Sequence, residues 1–159
     1  MSAKSPADDP VVQHLPEFRF CDDYRTQNTT IRDLVCHRTG LERGDLLPSR
    51  DDVGPKEIVE RVRYLQTVSG LREKFAYNNL MFYVLGEVIA RTSGTSWVEF
   101  VRNRLLTPLN MQSTSTTRRA EPDESPTTIH QWGDGELQPV ELPEAATKHV
   151  ICRIHSFHV

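Results

Sequence analysis

The segment that most limits what this chain can fold into is Leu80-Met81-Phe82-Tyr83-Val84-Leu85-Gly86-Glu87-Val88-Ile89. A helix opening near Asn79 and closing at Ser93-Gly94 would carry so few polar residues that it must be buried nearly all round. Gly94 suits the left-handed position that ends a helix. The unbroken apolar run, Leu80 to Leu85, is far short of the roughly 20 residues that span a bilayer. Its cover must therefore come from the protein itself. Gly86, mid-helix, would cost about 1 kcal/mol against Ala in an exposed helix. Close approach of a neighbouring backbone would justify it.

The cover is legible as further helices. Thr30 and Asp33 form a capping-box pattern ahead of the stripe Ile31, Leu34, Val35, which predicts a short helix from Ile31 to Arg38 stopped by Gly40. Leu41 to Val53 reads as a loop. Pro55 fits a first helical position and Glu57 its positive end. Ile58, Val59, Val62, Leu65 and Val68 then recur at helical spacing until Gly70, leaving Glu60, Arg61 and Arg63 on the wet side. Ser96 and Glu99 open a last helix with Trp97, Val98, Val101 and Leu105 inward, ended by Pro108 and forming an antiparallel hairpin with the buried helix. After Met111 come a Ser/Thr run and four prolines between Pro122 and Pro143, so no long helix survives. Gly133-Asp134-Gly135 can turn a weak hairpin whose second strand, bearing Pro139, must be an edge.

The chain has 159 residues, of which 37% are hydrophobic, a thin fraction concentrated in these helices. One modest core is what that supports. A net charge of −3 provides no field for a phosphate backbone, so nucleic acid is not an expected partner. Met1-Ser2-Ala3-Lys4-Ser5-Pro6 lacks the apolar stretch of a signal peptide, and a chain complete as written would be soluble and cytoplasmic, with no membrane partner. Cys21, Cys36 and Cys152 are too few and too widely spaced for a disulfide framework. Cys36 falls on the apolar side of its helix and reads as a small buried hydrophobe.

A nucleophile is hard to find. There is no Gly-x-Ser-x-Gly elbow, Walker loop, HExxH or GxGxxG. No serine has a lysine three residues on; Ser69-Gly70-Leu71-Arg72 and Ser115-Thr116-Thr117-Arg118 come nearest, and a guanidinium cannot act as a base. What stands out is Tyr77-Asn78-Asn79, a Tyr-x-Asn just before the buried helix. It lies in an ordered series: Pro10-Val11-Val12-Gln13-His14-Leu15-Pro16-Glu17-Phe18; Thr30-Ile31-Arg32-Asp33-Leu34-Val35-Cys36-His37-Arg38-Thr39-Gly40-Leu41; Phe75-Ala76-Tyr77-Asn78-Asn79 running into Leu85-Gly86-Glu87-Val88-Ile89; Thr92-Ser93-Gly94; and Pro108-Leu109-Asn110-Met111. Over about Asp9 to Thr117 this series resembles the β-lactamase-related serine hydrolases, the class C β-lactamase, DD-peptidase and esterase group.

That resemblance implies a mainly α fold: the helical lobe of a β-lactamase/transpeptidase-like α/β architecture, truncated. Residues 1–117 would be the partial domain and 118–159 an irregular tail. It implies hydrolysis of an ester, amide or β-lactam small molecule through an acyl-serine, with no cofactor and no metal. In such enzymes a Ser-x-x-Lys supplies nucleophile and base, a Tyr-x-Asn a second base and an amide, and a Lys/His-x-Gly strand binds substrate. Serine is a weak nucleophile without a base beside it, and a phenol serves only where cationic neighbours lower its pKa. By the resemblance Tyr77 is the catalytic base, Asn79 binds the catalytic lysine and the substrate carbonyl, and Asn78 fills the variable middle position. The Ser-x-x-Lys would lie upstream of Asp9, and no Lys-x-Gly or His-x-Gly follows, so the chain as it stands is expected to be inactive. Asn79 is also a natural N-cap for the buried helix. His37 reads as a helix-end residue facing the last carbonyls. Two alternatives remain: an inactive fragment that binds a partner, or a metal-binding module built on His149, Cys152, His155 and His158, imidazoles and a thiol of the kind that ligate zinc.

Overall fold

The computed structural model describes residues 5–44, 54–112, 114, 116 and 129–140. Six short helices and one hairpin follow in order: α1 (Val11–His14), α2 (Asp23–Asn28), α3 (Ile31–Val35), α4 (Pro55–Arg61), α5 (Leu80–Ser93), α6 (Trp97–Val101), β1 (Ile129–Gly133) and β2 (Glu136–Val140). The chain divides after Phe100 into two compact units.

In the first unit α5 is the central element, as its composition demands. No residue from Leu80 to Ala90 is exposed, and Gly94 closes the helix at φ 72°. Helices α1, α3 and α4 pack on it. Val11, Phe18, Leu34, Ile58, Leu80, Met81 and Val84 are fully buried at this convergence. Each such side chain withdrawn from water contributes about 1.5–3 kcal/mol before the entropy of ordering the chain is subtracted. Gly86 is explained differently from the sequence expectation. The nearest neighbour of a Cβ there would be the Trp97 ring, at 3.8 Å, and not a backbone.

Helix α3 starts as expected: Thr30 Oγ1 accepts the Asp33 N–H and the Asp33 carboxylate accepts the Thr30 N–H. It ends early, at Val35 rather than Arg38. The His37 N–H donates to Leu34 C=O at 3.2 Å and the Arg38 N–H to Asp33 C=O at 2.9 Å, the paired bonds of a Schellman cap. His37, at φ 54°, fills the left-handed position that glycine usually takes. Gly40 has another task. At φ 72°, a Cβ on it would stand 2.5 Å from the Ser69 carbonyl oxygen.

That close approach also shortens α4. Past Arg61 the chain makes one 3-10 turn, Val62–Tyr64, and then extends beside residues 40–42. There Val68 N–H donates to Gly40 C=O at 2.8 Å and Glu42 N–H to Gln66 C=O at 3.0 Å. Long-range pairing thus replaces the helix expected up to Gly70, and Val68 is half exposed rather than inward. Buried Arg25 fastens the two strands of this contact, donating from Nε to Thr39 C=O and from Nη2 to Ser69 C=O, both at 2.8 Å. Arg72 fastens the other side, with its guanidinium 2.7–3.0 Å from the buried Asp33 carboxylate. Cys36 is exposed, contrary to the buried role expected, because the helix ends at its position and the chain turns away.

The Ser96–Glu99 capping box forms. Helix α6 ends at Val101, however, and a π-helical turn, Arg102–Leu106, follows, in which Leu105 is half exposed rather than inward. In the second unit β1 and β2 pair antiparallel from Ile129↔Val140 to Gly133↔Glu136, with Asp134 at φ 50° and Gly135 at φ 83° in the turn. Two consecutive positive φ values match the right-handed twist of a hairpin. Pro139, opposite His130, is accommodated because every strand of a two-stranded ribbon is an edge. No helix among the described residues is long and apolar enough to cross a membrane.

Candidate active site around the Tyr77 segment

Residues 75–79 lead from the extended strand into α5, and the α3 cap fixes their path. The Ala76 N–H donates to His37 C=O at 2.9 Å, and the Asn78 N–H donates to His37 Nδ1 at 3.3 Å. Asn78 is fully buried. Its Nδ2 donates to Glu42 C=O at 2.5 Å, while its Oδ1 accepts the Leu80 N–H at 2.8 Å. Thus Asn78, read from sequence as a variable spacer, caps α5 and ties it to the 41–44 segment. Asn79 already has helical dihedrals, φ −68° and ψ −25°, and makes no side-chain cap. Asn79 holds the N-cap position, as expected, but the side chain that caps the helix is that of Asn78. Its amide, half-buried, is not committed to the helix end.

Tyr77 precedes this anchor and is 41% exposed. Its ring centroid lies 4.4 Å from that of His37 and 6.4 Å from that of Phe75, and the Arg43 guanidinium stands 5.8 Å over it. The His37 ring also meets Phe75 and Phe82 edge-on. His37 does not face the last helix carbonyls, as expected from sequence. It is turned inward, and burial holds its imidazole below the ordinary 6.5. Protonation would also set an Nδ1–H against the Asn78 N–H donor.

Ser69 and Arg72 do not form a nucleophile–base pair. The Arg72 guanidinium is committed to Asp33 and to Asn28 C=O, and Ser69 Oγ is buried without a hydrogen-bond partner among the described residues. No group of three His, Cys, Asp or Glu suited to a metal ion occurs among the described residues. His149, Cys152, His155, His158 and Ser115 lie outside them. Sequence reasoning missed His37 and Asn78. The available signals were a histidine among the few residue types that tolerate positive φ, and an asparagine two residues ahead of an apolar helix.

Comparison with known proteins bears on the family and the fold. A hydrolase from Aspergillus campestris, Unguisins hydrolase ungD', is 35% identical over 111 residues, which are 66% of this chain and 21% of that protein. The chain therefore spans about a fifth of that relative's length. The penicillin-binding protein homologue from Pyrococcus abyssi, an octamer, shares its fold with a TM-score of 0.71 at 20% identity, over 92% of this chain and 35% of that one. A D-stereospecific amidohydrolase from Streptomyces sp. superposes with a TM-score of 0.65 at 24% identity, over 89% of this chain and 45% of that one. The family model described as Beta-lactamase matches residues 5–149, beyond Thr117 where the resemblance read from sequence ends. The chain belongs to the Beta-lactamase family, and holds part of its penicillin-binding-like hydrolase fold.

Proposed function

We propose that this chain is the helical segment of a serine hydrolase that cleaves an ester, amide or β-lactam through an acyl-serine, with Tyr77 as the base and Asn79 as the substrate-side amide. In this reading the Tyr77 oxygen takes the proton of a serine hydroxyl as the serine oxygen attacks the carbonyl, and returns it to the leaving oxygen or nitrogen. Water then releases the acid from the acyl-enzyme by the reverse exchange. The observation that carries the reading is the contrast at 77–79. The middle residue is buried and locked, and the flanking Tyr77 and Asn79 are left accessible at the mouth of α5. Arg43 supplies a positive charge beside the Tyr77 ring.

The test uses the longest open reading frame that carries this segment, assayed with p-nitrophenyl acetate and nitrocefin. Tyr77→Phe should lower kcat by about 10²–10⁴-fold with the helical circular dichroism unchanged. An unchanged rate overturns the assignment. The 159-residue chain alone should hydrolyse neither compound, and turnover that vanishes in Tyr77→Phe would show that the nucleophile lies within it.

A further inference from the structure

We propose that His37 is a positioning residue for the Tyr77 phenol: neutral, it accepts the Asn78 N–H on Nδ1 and lies against the Tyr77 ring, so that its protonation unseats the base. The catalytic consequence rests on the role proposed for Tyr77; the mechanical coupling does not.

The geometry leaves His37 little choice. Its backbone sits in the left-handed region at φ 54°, which costs a non-glycine residue about 1–2 kcal/mol. A glycine would make the same Schellman cap without that cost. The side chain therefore has a use that offsets it. That use is visible in four contacts, to the Asn78 N–H and to the Tyr77, Phe75 and Phe82 rings. The Asn78 bond and the Tyr77 contact fall on consecutive residues, so any shift of the ring moves both. Two main-chain bonds from the same turn, His37 C=O to Ala76 N–H and Arg38 C=O to Arg72 N–H, hold the rest of the segment in place. The ring is the side chain that meets both the Asn78 N–H and Tyr77.

The Asn78 N–H can be accepted at Nδ1 only while that nitrogen carries no proton. A second proton would place two donors 3.3 Å apart, which forces the ring or the 77–78 backbone to turn. Among the described residues, the titratable and charged groups at the ring are Tyr77 and, beyond it, Arg43. From the 41–44 segment Glu42 offers its main-chain carbonyl to Asn78, while its carboxylate accepts the Gln66 N–H. Phe75 and Phe82 complete the surroundings and do not ionise. No carboxylate among these contacts stabilises an imidazolium, and burial opposes it further.

The experiment has two independent readouts. In the 159-residue chain with isotope-labelled tyrosine, the Tyr77 ring resonance is followed by NMR from about pH 8 to pH 5, across the range where histidine titrates. The signal should shift with an inflection below 6.5, and the inflection should vanish in His37→Asn, whose amide oxygen accepts the same N–H and whose backbone tolerates positive φ. A Tyr77 signal indifferent to His37 overturns the coupling. In the longer open reading frame, kcat should fall on the acid side with the same inflection. His37→Leu should lower kcat by about 10²-fold, the effect of misplacing a catalytic group by about 1 Å, with KM little changed. His37→Asn should restore the rate and abolish the acid limb. If Tyr77→Phe leaves hydrolysis untouched while the NMR coupling persists, the catalytic reading fails and the positioning stands. If Tyr77→Phe abolishes hydrolysis but His37→Asn keeps the acid limb, the positioning fails and the catalytic reading stands.

Discussion

Asn78 and Asn79 are chain neighbours of one residue type in opposite circumstances, and substitution should separate them. Asn78→Ala strands two buried main-chain groups, the Leu80 N–H and the Glu42 carbonyl, and should destabilise by about 2 kcal/mol. Asn79→Ala breaks no cap and should change stability by less than about 0.5 kcal/mol. Thermal melting of the two variants checks this: equal losses would mean that the buried amide is not the anchor. Sequence pointed to the Tyr-x-Asn as a unit and assigned the cap to its last residue. A propensity for capping is a property of residue type and cannot tell i from i−1. The choice was made by Glu42, 36 positions away, whose carbonyl takes the Asn78 amide.

At the scale of elements, α5 follows from its own composition, whereas the lengths of α3 and α4 do not. Helix α3 is cut by its own Schellman cap at His37, and beyond α4 the apolar periodicity from Leu65 to Val68 is overruled by the pairing of residues 40–42 with 66–68. Within α5, Gly86 meets nothing nearer than the Trp97 ring at 3.8 Å, an ordinary contact, and its backbone is helical. Gly86→Ala should therefore stabilise the protein by about 0.5–1 kcal/mol through the reduced entropy of the unfolded chain. A lower melting temperature would show that α6 packs too tightly for a methyl group.

Over the first unit as a whole, acid sensitivity should pass through Asp33. Burial alone would raise its carboxyl, but the Arg72 guanidinium and the Thr30 donors outweigh that and hold it below the ordinary 3.8. A carboxyl depressed in the folded state contributes stability that is present above its unfolded pKa and is lost as pH falls through the folded value. In Arg72→Met the carboxylate keeps its burial without its cation, so the variant should be destabilised most near neutral pH. Its deficit should shrink as pH falls into the acid range, where the stranded Asp33, released from the cation that held it below the ordinary 3.8, takes up a proton before the wild-type carboxyl does. A deficit that is the same at both ends of that range would mean Arg72 acts through packing alone.

Taken alone, the sequence determined the buried helix, the two capping boxes, the turn at Asp134-Gly135 and, through an ordered set of short motifs, the family. These depend on residues within about one helical turn of each other, or on their order along the chain. Only the tertiary structure decided that His37 rather than Gly40 ends α3, that Gly40 admits the Ser69 carbonyl, and that Asn78 and the Tyr77 ring both meet His37. The first is a local turn that residue type alone did not disclose, set by the φ of 54° at His37; the others rest on contacts between residues more than 25 positions apart, whose geometry is set when the core around α5 closes.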